Sequence, residues 1–212
     1  MKKLYIVGAG GFGREVAWLV ERINEKSNEW DLIGFIDDND EKHEKMEGNY
    51  PVLGGCDYFG NVGSDVWVVC AVGSAKIRKQ IIEKLEQYSN VKFATLVDPS
   101  VIKSKSVHIG EGTILCAGTI ATVNISIGEH VIVNLDCTIG HDTSIDDFVT
   151  IYPSVNVSGN VKIEKCVEVG TGTQIIQGKN IVCHTIIGAG AVVVKNIEES
   201  GTYVGSPAKK IK

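Results

Sequence analysis

The chain has 212 residues, 43% of them hydrophobic and 22% charged, with a formal net charge of -5. That length suits one or two domains of ordinary globular composition, and the acidic balance argues against a nucleic-acid partner, because phosphate binding needs a basic surface. No apolar run approaches the roughly 20 residues that span a bilayer, so no membrane insertion is expected.

Residues 1 to 96 alternate strands with helices. Met1-Lys2-Lys3 before residues 4–7 superficially suggests a secretory leader, but the apolar run is short and enters a glycine-rich turn instead of a cleavage site. It reads as a buried first strand. Gly8-Ala9-Gly10-Gly11-Phe12-Gly13 follows, a GxGxxG pattern, and then an amphipathic helix over about 14–25. Residues 31–36 form a second strand ending at Asp37-Asp38, and residues 66–71 a third. Val72-Gly73-Ser74 turns into a helix over about 75–87, and residues 91–96 close the domain. This alternation predicts a small parallel α/β sheet of Rossmann type. The glycine loop lies between strand and helix, where its backbone permits close approach and the helix N-terminus offers N–H groups to a phosphate. Asp37 is placed to bind a ribose or base. Three readings stay open: NAD, a nucleotide-linked sugar, and a structural turn, since the motif alone is weak. There is room for about half of an NAD-binding fold. Lys76, Arg78 and Lys79, on the first turns after Gly73-Ser74, are either a solvated face or phosphate contacts beside the loop.

Residues 97 to 212 follow another rule. From Ile109 every sixth residue to Val193 is aliphatic, with a smaller Ala121: Leu115, Ile127, Val133, Ile139, Ile145, Ile151, Val157, Ile163, Val169, Ile175, Ile181 and Ile187 complete the series. A second small or apolar residue sits two positions before each from Val107 to Thr173, and alternate strand residues share a face. The period is that of a parallel β-helix of hexapeptide repeats, three hexads to a coil and between five and six coils. The ladder is core, so chemistry falls to outward and corner positions. Stacking three flat faces against copies of the chain would bury edges such as Val155, Tyr152 and Leu135.

One corner carries the chemistry expected of a catalyst. His141 lies two residues after inward Ile139, so its ring leaves the core, and Asp142 adjoins it. Histidine is the usual general base near neutrality, and a carboxylate can orient it. Gly159 lies eighteen residues, one coil, after His141, and its N–H can face a developing oxyanion. His43, His108, His130 and His184 show no HxxxxH spacing, so no metal site is expected. Six cysteines (Cys56, Cys70, Cys116, Cys137, Cys166, Cys183) form no CxxC pair and read as free thiols of a reducing cytoplasm. The inward phase of Cys137 makes it a poor nucleophile.

The hexad resembles the left-handed β-helix acyltransferases; the handedness comes with the resemblance. Gly8 to Gly13 with Phe35-Ile36-Asp37-Asp38, Ala71-Val72-Gly73 before Ile77-Arg78, Asn134 to Asp142, and Val204-Gly205-Ser206-Pro207-Ala208-Lys209 together resemble one branch. That branch is the sialic acid O-acetyltransferase (NeuD-like) family and its nucleotide-sugar N-acetyltransferase relatives. The resemblance covers the whole chain. It implies a cytoplasmic, metal-free, homotrimeric enzyme that moves an acetyl group from acetyl-CoA to a nucleotide-linked amino sugar of the 4-amino-4,6-dideoxy type. It implies His141 as base, Asp142 as its acidic partner, Asn134 near the reacting groups and Gly159 as donor to the thioester oxygen. Gly8, Gly10, Gly11, Phe12, Gly13, Asp37, Asp38, Gly73 and Arg78 would hold the nucleotide sugar. Gly159, Gly170, Thr171, Gly188, Ala189, Pro207 and Lys209 would hold CoA in a groove between subunits. Some relatives carry His where this chain has Phe12, and Asp142 stands where a longer Glu is found. The alternatives are O-acetylation of sialic acid or a polysaccharide precursor, and a non-catalytic nucleotide-sugar-binding trimer.

Overall fold

The computed structural model describes residues 1–212, which divide into two compact units, Met1–Pro99 and Ser100–Lys212. The hexad alone puts the boundary at 96/97. Residues 97–99 belong instead to the first unit, where Arg22 clamps the buried Asp98 carboxylate through Nε (2.7 Å) and a terminal nitrogen (3.0 Å).

The first unit runs β1 (Lys2–Val7), α1 (Gly11–Ser27), β2 (Trp30–Ile36), a two-strand hairpin of β3 (Met46–Glu47) and β4 (Tyr50–Pro51), β5 (Val66–Cys70), α2 (Ala75–Leu85) and β6 (Val91–Phe93). The main sheet has the order β2-β1-β5-β6 and is parallel throughout. Its strands are nearly continuous apolar runs, as burial on both faces demands; Leu4, Ile6, Phe35, Val68 and Val69 have no exposure. The first helix begins three residues before the expected Arg14, directly at the glycine loop with Gly10 as N-cap. It ends at Asn28, whose left-handed backbone (φ 48°) returns its N–H to Asn24. The second helix stops at Leu85, and the last strand divides into β6 and a separate short strand, Leu96–Val97.

The second unit is the parallel β-helix. Residues eighteen apart pair in register on each of three faces. The first face pairs Ile132 with Thr150 and Val133 with Ile151, the second Thr138 with Asn156, and the third Ser144 with Lys162. The aliphatic ladder is buried from Leu115 to Val193, whereas Ile109, at the open first turn, is only half-buried. Threonines at the alternate inward position satisfy their hydroxyls across the coil: Thr113 donates to the Gly128 carbonyl at 2.8 Å and Thr143 to that of Ser158 at 3.2 Å. Val155 has no exposure. It stands two residues before Val157, in the inward phase, so it forms no part of an outer face. Leu135 and Tyr152 are half-buried. The chain closes with Thr202–Val204 extending the first face and Lys209–Lys210 turning back antiparallel against it.

Candidate functional site

The glycine loop is held by its own geometry. Gly8 has φ +104°, and a Cβ on Gly13 would lie 1.9 Å from the Gly8 carbonyl oxygen, so neither position admits a side chain without movement. Gly10 and Gly11 have open space where a Cβ would stand. No side chain caps the N-terminus of α1, a 17-residue helix, and an uncapped helix N-terminus suits an anion such as a phosphate.

Asp37 ties the loop to the segment after β2. Its Oδ2 accepts from the Ala9 N–H (2.9 Å) and from Lys42 Nζ (2.8 Å), and Oδ1 from the Asn39 N–H (3.0 Å). Burial pushes its carboxyl up, but the bonds from Lys42, Asn39 and Ala9 outweigh it and hold the group below the usual carboxylate range. Asp38 accepts from the Cys56 N–H (2.8 Å) and from Lys84 Nζ (3.0 Å). It too is held low: burial raises it, and the Cys56 and Lys84 bonds more than offset that. Gly8, Asp37, Asp38, Cys56, Ile81 and Lys84 line a cavity of about 400 Å³ beyond the C-terminal ends of β1 and β2. A more polar cavity of about 680 Å³ shares Asp38 and Lys84 with it. Apolar walls with a carboxylate and an ammonium at one end suit a flat heterocycle that donates and accepts hydrogen bonds.

Arg78 differs from its expected role. It is 1% exposed, and its guanidinium donates to the carbonyls of Val72 (2.7 Å) and Gly73 (3.1 Å). It staples the turn before α2 and offers no open phosphate ligand. Lys76, on the same turn, is exposed, and Phe12 and Gly73 are half-buried.

On the β-helix, His141 Nδ1 lies 2.8 Å from Asp142 Oδ2. An ionised carboxylate only accepts, so Nδ1 is the donor in this contact, and in the neutral ring Nε2 is then the acceptor. Asp142 is held below the usual carboxylate range by the bond from His141 and then by one from Asn124. The ring lies over the next coil: a Cβ on Gly159 would stand 2.5 Å from His141 Nε2. The Gly159 carbonyl accepts from the Gly178 N–H, and the His141 carbonyl from that of Asn160. The Gly159 N–H donates to no group of the chain. A proton acceptor and an open backbone donor are thus stacked on one edge, between the second and third faces.

Asn134 is on another edge. It follows the first-face strand Ile132–Val133 and precedes the second-face strand Thr138–Ile139. It is 9% exposed, and its Oδ1 accepts from the Leu135 N–H at 2.7 Å. Gly170, Thr171, Gly188 and Ala189 share that edge, two and three coils further on. Gly170 is required there, because a Cβ would come within 2.6 Å of the Ala189 nitrogen and the Ile187 oxygen. Pro207 and Lys209 are exposed in the final turn-back, where Lys195, Tyr203, Lys209 and Lys210 line a cavity of about 250 Å³. Cys137 donates its thiol to the Tyr152 carbonyl at 3.2 Å, and burial pushes its pKa up to about 11, which removes it as a nucleophile. No group of three His, Cys, Asp or Glu side chains comes together to hold a metal ion. No helix is long and apolar enough to cross a membrane.

Sequence reasoning missed Lys42, Lys84, Cys56 and Asn124. The first three come from loops and a helix face whose approach to the carboxylates follows no local spacing. Asn124 had a signal, since it precedes Asp142 by one coil.

Comparison with known proteins agrees with both units. Residues 3–85 match the PglD N-terminal domain family. A UDP-N-acetylbacillosamine N-acetyltransferase of Bacillus subtilis (strain 168) is 36% identical over 121 residues, 55% of this chain and 52% of that protein. The chain spans about half the length of the curated relatives it matches. Among solved structures, the acetyltransferase domain of PglB from Neisseria gonorrhoeae FA1090 superposes with a TM-score of 0.89, at 30% identity over 100% of both chains. The same domain is also known in complex with acetyl coenzyme A, with a TM-score of 0.88, 30% identity and 99% of each chain covered. WeeI from Acinetobacter baumannii AYE gives a TM-score of 0.88, again at 30% identity over 100% of both chains.

Proposed function

The chain belongs to the nucleotide-sugar N-acetyltransferase family, and from that premise we propose that it transfers an acetyl group from acetyl-CoA to the amino group of a nucleotide-linked sugar of the 4-amino-4,6-dideoxy type. The observation that carries this reading is the corner itself: His141, oriented by Asp142 at 2.8 Å, stands directly over Gly159. In the proposed reaction the sugar amine attacks the thioester carbonyl and gives a proton to His141 Nε2. The Gly159 N–H meets the oxygen as it becomes negative. Collapse of the tetrahedral adduct breaks the C–S bond, and the CoA sulfur leaves with the proton carried by the imidazolium. The attack is direct, with no acyl-enzyme, in keeping with the buried, high-pKa Cys137.

The nucleotide sugar is assigned to the first unit. The open glycine positions and the bare N-terminus of α1 suit the diphosphate, and the Asp38–Lys84 end of the cavity suits the base. CoA is assigned to the edge of Gly170, Thr171, Gly188 and Ala189, with Pro207 and Lys209 beyond. His141 and Asn134 lie on different edges of one chain, so a site using both is assembled between two copies. This supports a homotrimer with three such sites.

Thiol release from acetyl-CoA against UDP-, dTDP- and GDP-linked amino sugars, with free and CMP-linked sialic acid, tests the proposal. Turnover is expected with an amino sugar, and a fall of about 10²-fold or more in His141→Ala, the usual scale of a general base. Turnover with sialic acid alone would transfer the assignment to O-acetylation. Undiminished turnover in His141→Ala would remove the base.

A further inference from the structure

One polar side chain outside the expected site reaches the His141–Asp142 pair. Asn124 occupies the same corner one coil earlier, and its Nδ2 donates to Asp142 Oδ1 at 3.2 Å. Asp142 therefore divides its two oxygens, Oδ2 to the imidazole and Oδ1 to the amide. Asn124 is itself held on three counts. Its N–H donates to Ser106 Oγ at 2.9 Å, and Ser106 Oγ lies 2.7 Å from Ser104 Oγ. The neighbouring Val123 carbonyl accepts from the Asp142 N–H at 3.1 Å, so the two corners are joined through backbone as well as side chains. Its own backbone has φ 55°, a left-handed conformation that Asn tolerates.

We propose that Asn124 is a positioning residue: it pins Asp142 so that Oδ2 stays on His141 Nδ1, which keeps the proton on Nδ1 and the Nε2 lone pair turned toward Gly159. This rests on the reading of His141 as the base. The physical need is plain. Both members of the pair are about half exposed, and an exposed carboxylate with one free oxygen rotates readily into water, since surface ion pairs are weak. A second bond on the other oxygen removes that rotation. The bond also discriminates by charge: an amide donates to the carboxylate, whereas a carboxylate in its place repels it. Among titratable groups, His141 is the one whose charge acts on Asp142, and the facing residues of the adjoining coils, Asn124, Gly159 and Asn160, are neutral.

Two substitutions separate this role from a structural one. Asn124→Asp keeps the shape and the tolerance of positive φ but replaces a donor with a charge. Asn124→Gly frees the backbone and deletes the amide. The first readout needs no substrate: two-dimensional ¹H–¹⁵N NMR of the imidazoles in the whole protein, with the His141 signal identified by its loss in His141→Ala. Asn124→Asp adds negative charge near the imidazole, which favours the cation, so the His141 midpoint moves up, by about half a pH unit for an exposed pair at this range. Asn124→Gly releases Asp142, so the midpoint moves down and the Nδ1–H tautomer loses population. The second readout is thiol release from acetyl-CoA with a UDP-linked 4-amino-4,6-dideoxy sugar: kcat falls about tenfold in both variants, and KM for acetyl-CoA stays unchanged. Midpoints and tautomer unchanged in both variants, or moved in the same direction, would overturn the inference whatever happens to the rate. If His141→Ala keeps full turnover while the opposed shifts are seen, the pinning stands and the base assignment falls. If His141→Ala is inactive and Asn124→Asp behaves as wild type, the base stands and the pinning falls.

Discussion

The imidazole of His141 lies so close to the next coil that a methyl group on Gly159 would stand 2.5 Å from Nε2. Gly159→Ala must therefore turn the ring off its position, and the ring edge is held only by Asp142. The backbone there has no positive φ to be strained, so the fold has no reason to suffer. The expected outcome is a loss of kcat by one to two orders of magnitude, as misplacement of a catalytic group costs, with a melting temperature close to wild type. Retained kcat in Gly159→Ala would show that Nε2 does not need its place over the coil. The His141, Asp142 and Gly159 register was legible in the sequence because an unbroken eighteen-residue coil makes vertical neighbours countable. The same count leads from Asp142 to Asn124. The buried Arg78 was not legible: a basic residue two positions from an exposed lysine looks like surface until the Val72 and Gly73 carbonyls are seen to need a donor.

At the scale of elements, the glycine loop contains two kinds of glycine that the pattern GxGxxG does not distinguish. Gly13 is packed against the Gly8 carbonyl, whereas Gly10 and Gly11 face open space. Gly13→Ala is expected to destabilise the first unit by about 1–3 kcal/mol through overpacking, seen as a lower midpoint in urea unfolding. Gly11→Ala should leave that midpoint within about 0.5 kcal/mol, as for an ordinary surface change, and weaken nucleotide-sugar binding in calorimetry. Equal destabilisation by both would refute the distinction. Asp37 supplies a pH dependence at the same place. Its folded pKa is depressed, so the stability it contributes is present above the unfolded value near 3.9 and is lost as pH falls through the folded value. Asp37→Asn should therefore lower stability at pH 7 and approach wild type as pH falls through the depressed folded value of the carboxyl. A pH-independent difference would mean that the carboxylate's charge is irrelevant and only its shape matters. The strands and helices here were legible from apolar runs and punctuation. The contacts of Lys42 and Lys84 with the carboxylates were not, because a loop lysine and a helix lysine reach Asp37 and Asp38 across the fold, and no local period encodes that approach.

The whole molecule sets a condition that neither residue nor element can meet alone. The hexad predicts a prism, and a prism has edges on which residues of one chain are kept apart. His141 is on the edge between the second and third faces, and Asn134 on the edge between the first and second, with the strand Thr138–Ile139 between them. A site that needs both takes His141 from one copy and Asn134 from its neighbour. Complementation tests this without a structure of the assembly. His141→Ala and Asn134→Ala are each expected to be inactive as pure proteins. Unfolded together, mixed in equal amounts and refolded, they are expected to form the proposed trimers, in which a site is intact when its His141 comes from the Asn134 variant and its Asn134 from the His141 variant. With random assembly this holds for about a quarter of sites, so about a quarter of wild-type turnover should return. A site built within one chain always contains one of the two lesions, and mixing then restores nothing. Sedimentation of the same mixture distinguishes that result from a failure to assemble: trimers without recovered turnover would place the whole catalytic set on one chain, and recovered turnover would make the edge-to-edge arrangement of copies part of the active site.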